Sequence, residues 1–523
     1  MVNSAQTRLA AFLDSASTRS LASRRLGLEK ESLRTAADGV IATTPHPRAL
    51  GSALTHPWIT TDYSEALLEF VTPPCHDVRS ALVWLDELQR FTYAGIGDEL
   101  LWAASMPCVV AGEDSIPIAE YGTSNAGLMR HIYRRGLGYR YGRVMQVIAG
   151  VHLNFSLGEP FWLAMQQHLG SSESLQAFRS RHYMGLIRNQ QRLGWVVPYL
   201  FGCSPAVCNS FLRGKSADLP AWDDNTSYGP YATSLRMSDL GYQNKRRAGL
   251  RVSYDSLEAY TASLEHAVRT PWPEYEKIGV MVDGEYRQLN ANILQIENEY
   301  YSSMRPKPPA DTDLPPGAAL RHHGIEYVEL RSLDMNVFDP RGVSEEPIRF
   351  LEAFLLYCLF LDSPPIDTRE AEEIDHNQHQ TTCRGRDPDL HLLRHGHEVP
   401  LREWLTEILQ AMKPFCAALD TEQSEPVYGP ALESMQQRAA HPQETPSARM
   451  LAQMAEHEQG FFNFAIGISR HYREQYLARP LDTARQRELE QIAARSLIEQ
   501  RDLEKQPQQD FARYLAQRAA GAA

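Results

Sequence analysis

Residues 145–156 read MQVIAGVHLNFS, with Met145, Val147, Ala149, Val151, Leu153 and Phe155 apolar and Gln146, His152, Asn154 and Ser156 between them. A period of two predicts one long strand with a greasy face, because a helix repeats every 3.6 residues. A face carrying Gln, His and Asn suggests polar groups aimed at something. An ordinary half-exposed strand alternates in the same way, so the decision rests on what other segments place opposite it.

Alternation recurs elsewhere. Residues 26–35 (LGLEKESLRT) predict a strand with Glu29 and Glu31 on one face, roughly 7 Å apart, then a turn at Asp38-Gly39 and a return over 40–43. Asp62 follows, and an extended 65–72 would put Glu65, Leu67 and Glu69 on one face. Residues 278–300 predict a hairpin about Asp283-Gly284 whose return strand ends at Glu297, Asn298 and Glu299. In residues 325–334 (IEYVELRSLD), Tyr327, Glu329 and Arg331 share a face.

Helical spacing predicts an opening helix to about residue 22, a second over 78–88 and mostly helix over 157–193. Ser124 or Asn125 can cap a helix bearing Arg130, Tyr133, Arg134 and Arg135, a charge run that suits a solvated face equally well. Residues 194–205 form an apolar connection, and 231–242 (YATSLRMSDLGY) suit a substrate loop. The Pro-rich stretch 306–316 predicts a loop with Arg305 and Lys307 at its entrance. Ser344 caps a buried helix with Pro347 in its first turn. Residues 364–400 hold His376, His379, His391, His395 and His397 near Cys383, at irregular spacing that predicts a surface excursion without helix or strand rather than a metal site. From about 401 the pattern is helical to the end, which divides the chain into a catalytic body, 1–345, and a helical part, 346–523, packed on it as one unit.

Composition narrows the partners. Acidic residues outnumber basic ones by 65 to 52, a net charge of −13 that argues against nucleic acid. The seven cysteines are odd in number, scattered and without a C-x-x-C pair, which is neither a disulfide framework nor a zinc ribbon. No signal peptide is recognisable, and the greasiest run, 350–361, is short of the roughly 20 residues that span a bilayer. These features predict a soluble cytoplasmic protein with no membrane or nucleic-acid partner.

Glu29, Glu31, Asp62, Glu69, His152 and Glu329 form an oxygen-rich set with one imidazole, drawn from separate extended segments. Carboxylates crowded on one sheet face repel one another unless cations neutralise them, and hard oxygen ligands favour Mg²⁺ or Mn²⁺ over zinc. Such metals hold phosphate oxygens as well, so a nucleotide triphosphate clamped with Arg331 and Arg305 is the natural expectation. The chain has no G-x-x-x-x-G-K-[ST], and Gly136-Leu137-Gly138 followed by Gly142 misses the dinucleotide pattern.

The segments GLEKESLRT, LGSALTHPWITTDYSEALLEFVTP, YGTSNAG, GVHLNFS, PYATSLRMSDLGY, LQIENEYY and GIEYVELRSLD resemble those of the proteobacterial-type glutamate-cysteine ligases. The resemblance implies an α+β fold related to glutamine synthetase: a curved, mainly antiparallel sheet lining the active site, helices on its outer face and a helical C-terminal part. It implies ATP-dependent joining of the γ-carboxyl of L-glutamate to the amino group of L-cysteine through a γ-glutamyl phosphate, the first step of glutathione synthesis. The family's metal ligands fall on Glu29, Glu31, Asp62, Glu69, His152 and Glu329. Arg331 would touch the transferred phosphate, with Glu329 beside it in the catalytic role. Tyr133, Gln146, Ile148, Arg236, Tyr242 and Tyr301 resemble the residues around the amino-acid substrates. Feedback inhibition by glutathione and a monomeric state are further expectations. A ligase with another amine acceptor, and a catalytically silent nucleotide-binding relative, are the alternatives.

Overall fold

The structure, a computed structural model, describes residues 2–15, 18–212, 218–241, 250–310 and 314–521. Tyr242, one of the expected substrate contacts, lies outside the described residues.

The centre is a seven-stranded sheet in which every pairing is antiparallel. Its strands are β1 (Arg25–Thr35), β2 (Ile59–Thr61), β3 (Leu67–Val71), β4 (Leu100–Leu101), β5 (Val151–Ser156), β6 (Met304–Lys307) and β7 (Tyr327–Leu333). The spatial order is β6-β7-β5-β1-β3-β2, with β4 paired to the far end of β1. β1 spans 11 residues and touches β3, β4 and β5 along its length.

Helices surround this sheet. The chain begins with α1 (Val2–Ser15), followed by α2 (Val78–Gly95), α3 (Asn125–Tyr141) and α4 (Leu175–Leu193). α2 lies against β1, and Lys30, pointing to that side, donates to Gln89 of α2. α5 (Glu345–Phe360) is buried from Pro347 to its end and packs on α1, α2 and α4. Its one buried acid, Glu352, is matched by Arg24 at 3.0 Å and by the Tyr428 hydroxyl, which donates at 2.8 Å. A helical C-terminal part completes the cover, including α6 (Leu401–Asp420), α7 (Tyr428–Ala440), α8 (Phe461–Leu477), α9 (Thr483–Lys505) and α10 (Phe511–Gly521). The molecule is therefore α+β, with the antiparallel sheet that the resemblance implied and the helical C-terminal part that the pattern predicted.

Several expectations change. Residues 145–156 are not one strand: Val144–Val147 is a 3₁₀ turn and only Val151–Ser156 is β5. All six odd apolar positions are still buried, but the amide of Ala149 goes to Ser105 and that of Gly150 to the Glu31 carboxylate, so no ladder forms there. Glu65 does not join Glu69; its carboxylate accepts from the amides of His46 (2.8 Å) and Glu120 (2.7 Å) in loops. The hairpin about Asp283-Gly284 shrinks to Met281–Val282 and Glu285–Tyr286, and Glu297–Glu299 is a 3₁₀ turn. Arg305 and Lys307 are on β6, not in a loop. The His-rich region is a helix, Thr368–Arg384, and a hairpin, His391–Arg394 with His397–Pro400. Cys108 and Cys208 form a disulfide, and Cys75, Cys203, Cys358, Cys383 and Cys416 are free.

Candidate active site on the sheet face

Strand register builds the site. Glu31 stands opposite Glu69, Glu29 opposite His152, and Glu329 between Asn154 and Arg305 on its two neighbours. Because side chains alternate, these groups from five adjacent strands project to one side. His152 Nδ1 lies 3.2 Å from Glu29 Oε2 and 3.5 Å from Glu329 Oε1, and its Nε2 lies 3.7 Å from Glu31 Oε1. Asn154 donates to Glu29 Oε1 at 2.7 Å, and the Gly150 amide donates to Glu31 Oε2 at 2.7 Å.

Cations back one end of the row. Lys307 Nζ lies 3.0 Å from Glu329 Oε2, and Arg331 donates to Glu329 Oε1 at 3.0 Å. Burial opposes charge on Glu329, but Lys307, Arg331, His152 and Arg305 together hold its carboxyl well below the usual range. At the other end the balance reverses. Burial, and then repulsion from Glu29, Asp62, Glu31 and Glu329, push the Glu69 carboxyl well above its usual value. Among the described residues no cationic side chain forms an ion pair with Asp62 or Glu69.

These groups line a cavity of about 870 Å³ together with Tyr133, Gln146, Tyr301, Arg305 and Arg331. α3, capped by Ser124 accepting from the Gly127 amide, forms one wall and contributes Arg130 and Arg134. A segment from Leu289 to Tyr301 forms another. It is tied to α3 by the sealed pair Arg140–Glu299 at 2.9 Å, by Tyr141 donating to Glu299 at 2.7 Å and by Arg140 donating to the Asn290 carbonyl at 2.7 Å.

Ile148 and Arg236 are buried and are not among the lining residues. Arg236 donates to the Arg331 carbonyl at 3.1 Å and lies 3.7 Å from Asp334. Asp334 is itself held by the Cys203 amide (2.8 Å) and the Ser204 (2.6 Å) and Ser234 (2.8 Å) hydroxyls. Lys307 and Asn154 were visible in the pattern without being assigned. Lys307 follows Arg305 by two residues, so an extended reading of 304–307 would have put both on one face. Asp334 and the C-terminal residues that line the cavity carry no such periodic signal.

The site's chemistry is that of a polyanion binder: carboxylates suited to divalent cations, bordered by Lys and Arg suited to phosphate oxygens. Glu29, His152 and Glu329 each offer a donor atom, all within 4.8 Å of one another, and the Asp62 and Glu69 carboxyls crowded beside them fit a cation on the same face. The fold and site together are those of a protein whose antiparallel sheet presents an acidic, Lys- and Arg-bordered face to a polyanion. A family model described as glutamate-cysteine ligase matches residues 9–381. A glutamate–cysteine ligase of Alcanivorax borkumensis is 47% identical over 516 residues, 98% of each chain, and one of Pseudomonas putida W619 is 48% identical over 93% of this chain and 92% of its own. The crystal structure of the Francisella tularensis glutamate–cysteine ligase in complex with AMP superposes with a TM-score of 0.90 at 33% identity, covering 96% of this chain and 99% of that one. A bifunctional glutathione synthetase from Pasteurella multocida shares the fold over 88% of this chain and 54% of its own, with a TM-score of 0.71 at 24% identity. The chain belongs to the glutamate-cysteine ligase family.

Proposed function

We propose that the chain joins the γ-carboxyl of L-glutamate to the amino group of L-cysteine, using ATP, at the face where Glu29, His152 and Glu329 converge. That convergence, bordered by Lys307, Arg331 and Arg305, carries the reading. A free carboxylate does not accept an amine at neutral pH, because oxide is too poor a leaving group. Transfer of the γ-phosphoryl of ATP to the glutamate γ-carboxylate gives an acyl phosphate, and attack by the cysteine amine then expels phosphate.

Glu29, His152 and Glu329, with Glu31, Asp62 and Glu69 as the second acidic group, would hold Mg²⁺ or Mn²⁺, which when bound neutralises triphosphate charge. Arg331 and Lys307, which flank Glu329 from β7 and β6, would stabilise negative charge on the phosphoryl group in flight. Arg305 is fixed by donating to the Asn298 carbonyl at 2.8 Å, which leaves its charge directed at that end of the cavity. Tyr133, Gln146 and Tyr301, on the remaining walls, position the amino acids. Arg236, with Ile148 beside the wall, supports the amino-acid end from behind, and Tyr242 belongs to the same group by resemblance.

The test is ADP release with Mg²⁺ and ATP against glutamate paired with cysteine, 2-aminobutyrate and other amines. Release that requires both glutamate and cysteine is expected; release indifferent to cysteine would refute it. Glu29→Gln and Glu329→Gln are expected to abolish turnover with the fold intact by circular dichroism. Arg331→Ala should lower kcat by about 10² to 10³.

A further inference from the structure

We propose that the C-terminal helix α10 is a wall of the active site, and that Tyr514, Leu515 and Arg518 keep water from the acyl phosphate. This rests on the reaction proposed above. The family match ends at residue 381, yet Tyr514, Leu515, Ala516 and Arg518 line the same cavity as Glu29, Glu69 and Arg130. The two parts of the chain, 1–345 and 346–523, thus act as one catalytic unit.

α10 reaches this position through a short series of specific contacts. The amide of Thr123 donates to Glu504 at 3.0 Å, that of Asn125 to Gln508 at 3.1 Å, and the Asn125 side chain to the Gln509 carbonyl at 2.9 Å. Phe511 meets Tyr286 edge-on, ring centres 5.3 Å apart. The helix is thereby seated across the start of α3 and the Met281–Tyr286 hairpin. On its cavity side Arg518 donates to the Tyr514 hydroxyl at 3.4 Å. Phe511, Tyr514 and Leu515 are half-buried and Arg518 is exposed, so few contacts oppose the helix lifting to admit substrates.

The chemistry requires such a wall. Water adding to the acyl carbon of γ-glutamyl phosphate breaks its bond to the phosphate oxygen, releasing phosphate and regenerating glutamate, so ATP is spent with no amide formed. The cavity is large enough to admit water beside both amino acids, and a closing element is the usual means of excluding it. Leu515 and Ala516 supply apolar cover, and Arg518 supplies a cation facing the anionic reactants.

The experiment compares ADP with dipeptide formed by full-length wild type, Phe511→Ala, Leu515→Ser and Arg518→Ala at saturating cysteine. Wild type should make equal amounts. Each variant should make at least about twofold more ADP than dipeptide, the excess requiring glutamate. Hydrogen exchange of the 511–521 amides in wild type should slow when ATP and glutamate are added together. Equal amounts in all variants, excess ADP without glutamate, or exchange unchanged by the ligands would each overturn the proposal. A wild type that makes no dipeptide would instead refute the reaction itself.

Discussion

Gly150 shows how closely the site residues constrain one another. Its amide donates to the Glu31 carboxylate, its carbonyl accepts from the Glu31 amide at 3.0 Å, and a Cβ there would lie 2.0 Å from Arg236 Nη2. Arg236 cannot easily yield, being 1% exposed and held between the Arg331 carbonyl and Asp334. Gly150→Ala should therefore displace Arg236 and, through it, the strand that carries Arg331. We expect KM for the amino acids to rise about tenfold, about 1.4 kcal/mol in binding, and overpacking to lower stability by about 1–3 kcal/mol. Steady-state kinetics and thermal unfolding check this; unchanged KM and Tm would show that the packing around Arg236 relaxes freely.

At the scale of elements, β2 delivers Asp62 to the cavity, and the loop entering β2 depends on an uncharged imidazole. His56 Nδ1 accepts from the amides of Trp58 (3.1 Å) and Ile59 (2.9 Å), and burial lowers its pKa from 6.5 to about 4. His46 nearby is lowered to about 3, by burial and then by Arg34 and His56. Between pH 6.5 and 4 the unfolded chain binds a proton at these positions and the folded chain does not, so stability present above pH 6.5 is lost as pH falls through that window. The loss from His56 is up to about 3 kcal/mol. His56→Asn keeps an acceptor that does not titrate; its Tm should fall less between pH 7 and 4.5 than that of wild type, and parallel curves would sink the assignment. Elements with a dry face and regular alternation, β1, β3 and β7, were legible in the chain, and with them Glu29, Glu31, Glu69 and Glu329. The helix Thr368–Arg384 was not, because the residues it buries are Asn377, Thr381 and Thr382, which leave no apolar stripe. The hairpin beyond it turns on His395-Gly396, both at positive φ, where Asn or Asp would have signalled the turn. β5 was over-extended for a different reason: the odd positions from 145 to 155 are apolar and buried whether the backbone is laddered or not.

At the scale of the whole molecule, parts distant in sequence hold one another in place, and the Cys108–Cys208 disulfide is the covalent instance. It joins the loop after β4 to the small three-stranded sheet that begins at Ala206, closing 100 residues of chain that contain α3, β5 and α4. That stretch of chain carries Arg130, Tyr133, Gln146 and His152, so the bridge surrounds much of the site without touching it. By loop entropy a closure of that length stabilises by about 4–5 kcal/mol. The odd cysteine count and even scatter concealed the pairing, since a single long-range bridge leaves no spacing pattern. Protein purified without reductant and then denatured should show five reactive thiols, the number the structure leaves free, and seven after reduction. The Cys108→Ala/Cys208→Ala variant should unfold a few degrees lower than the unreduced wild type, while its metal-facing groups, held by strand register, retain their geometry. Seven thiols before reduction would refute the bridge, and an unchanged Tm in the variant would show that sheet and helix packing alone fix this region.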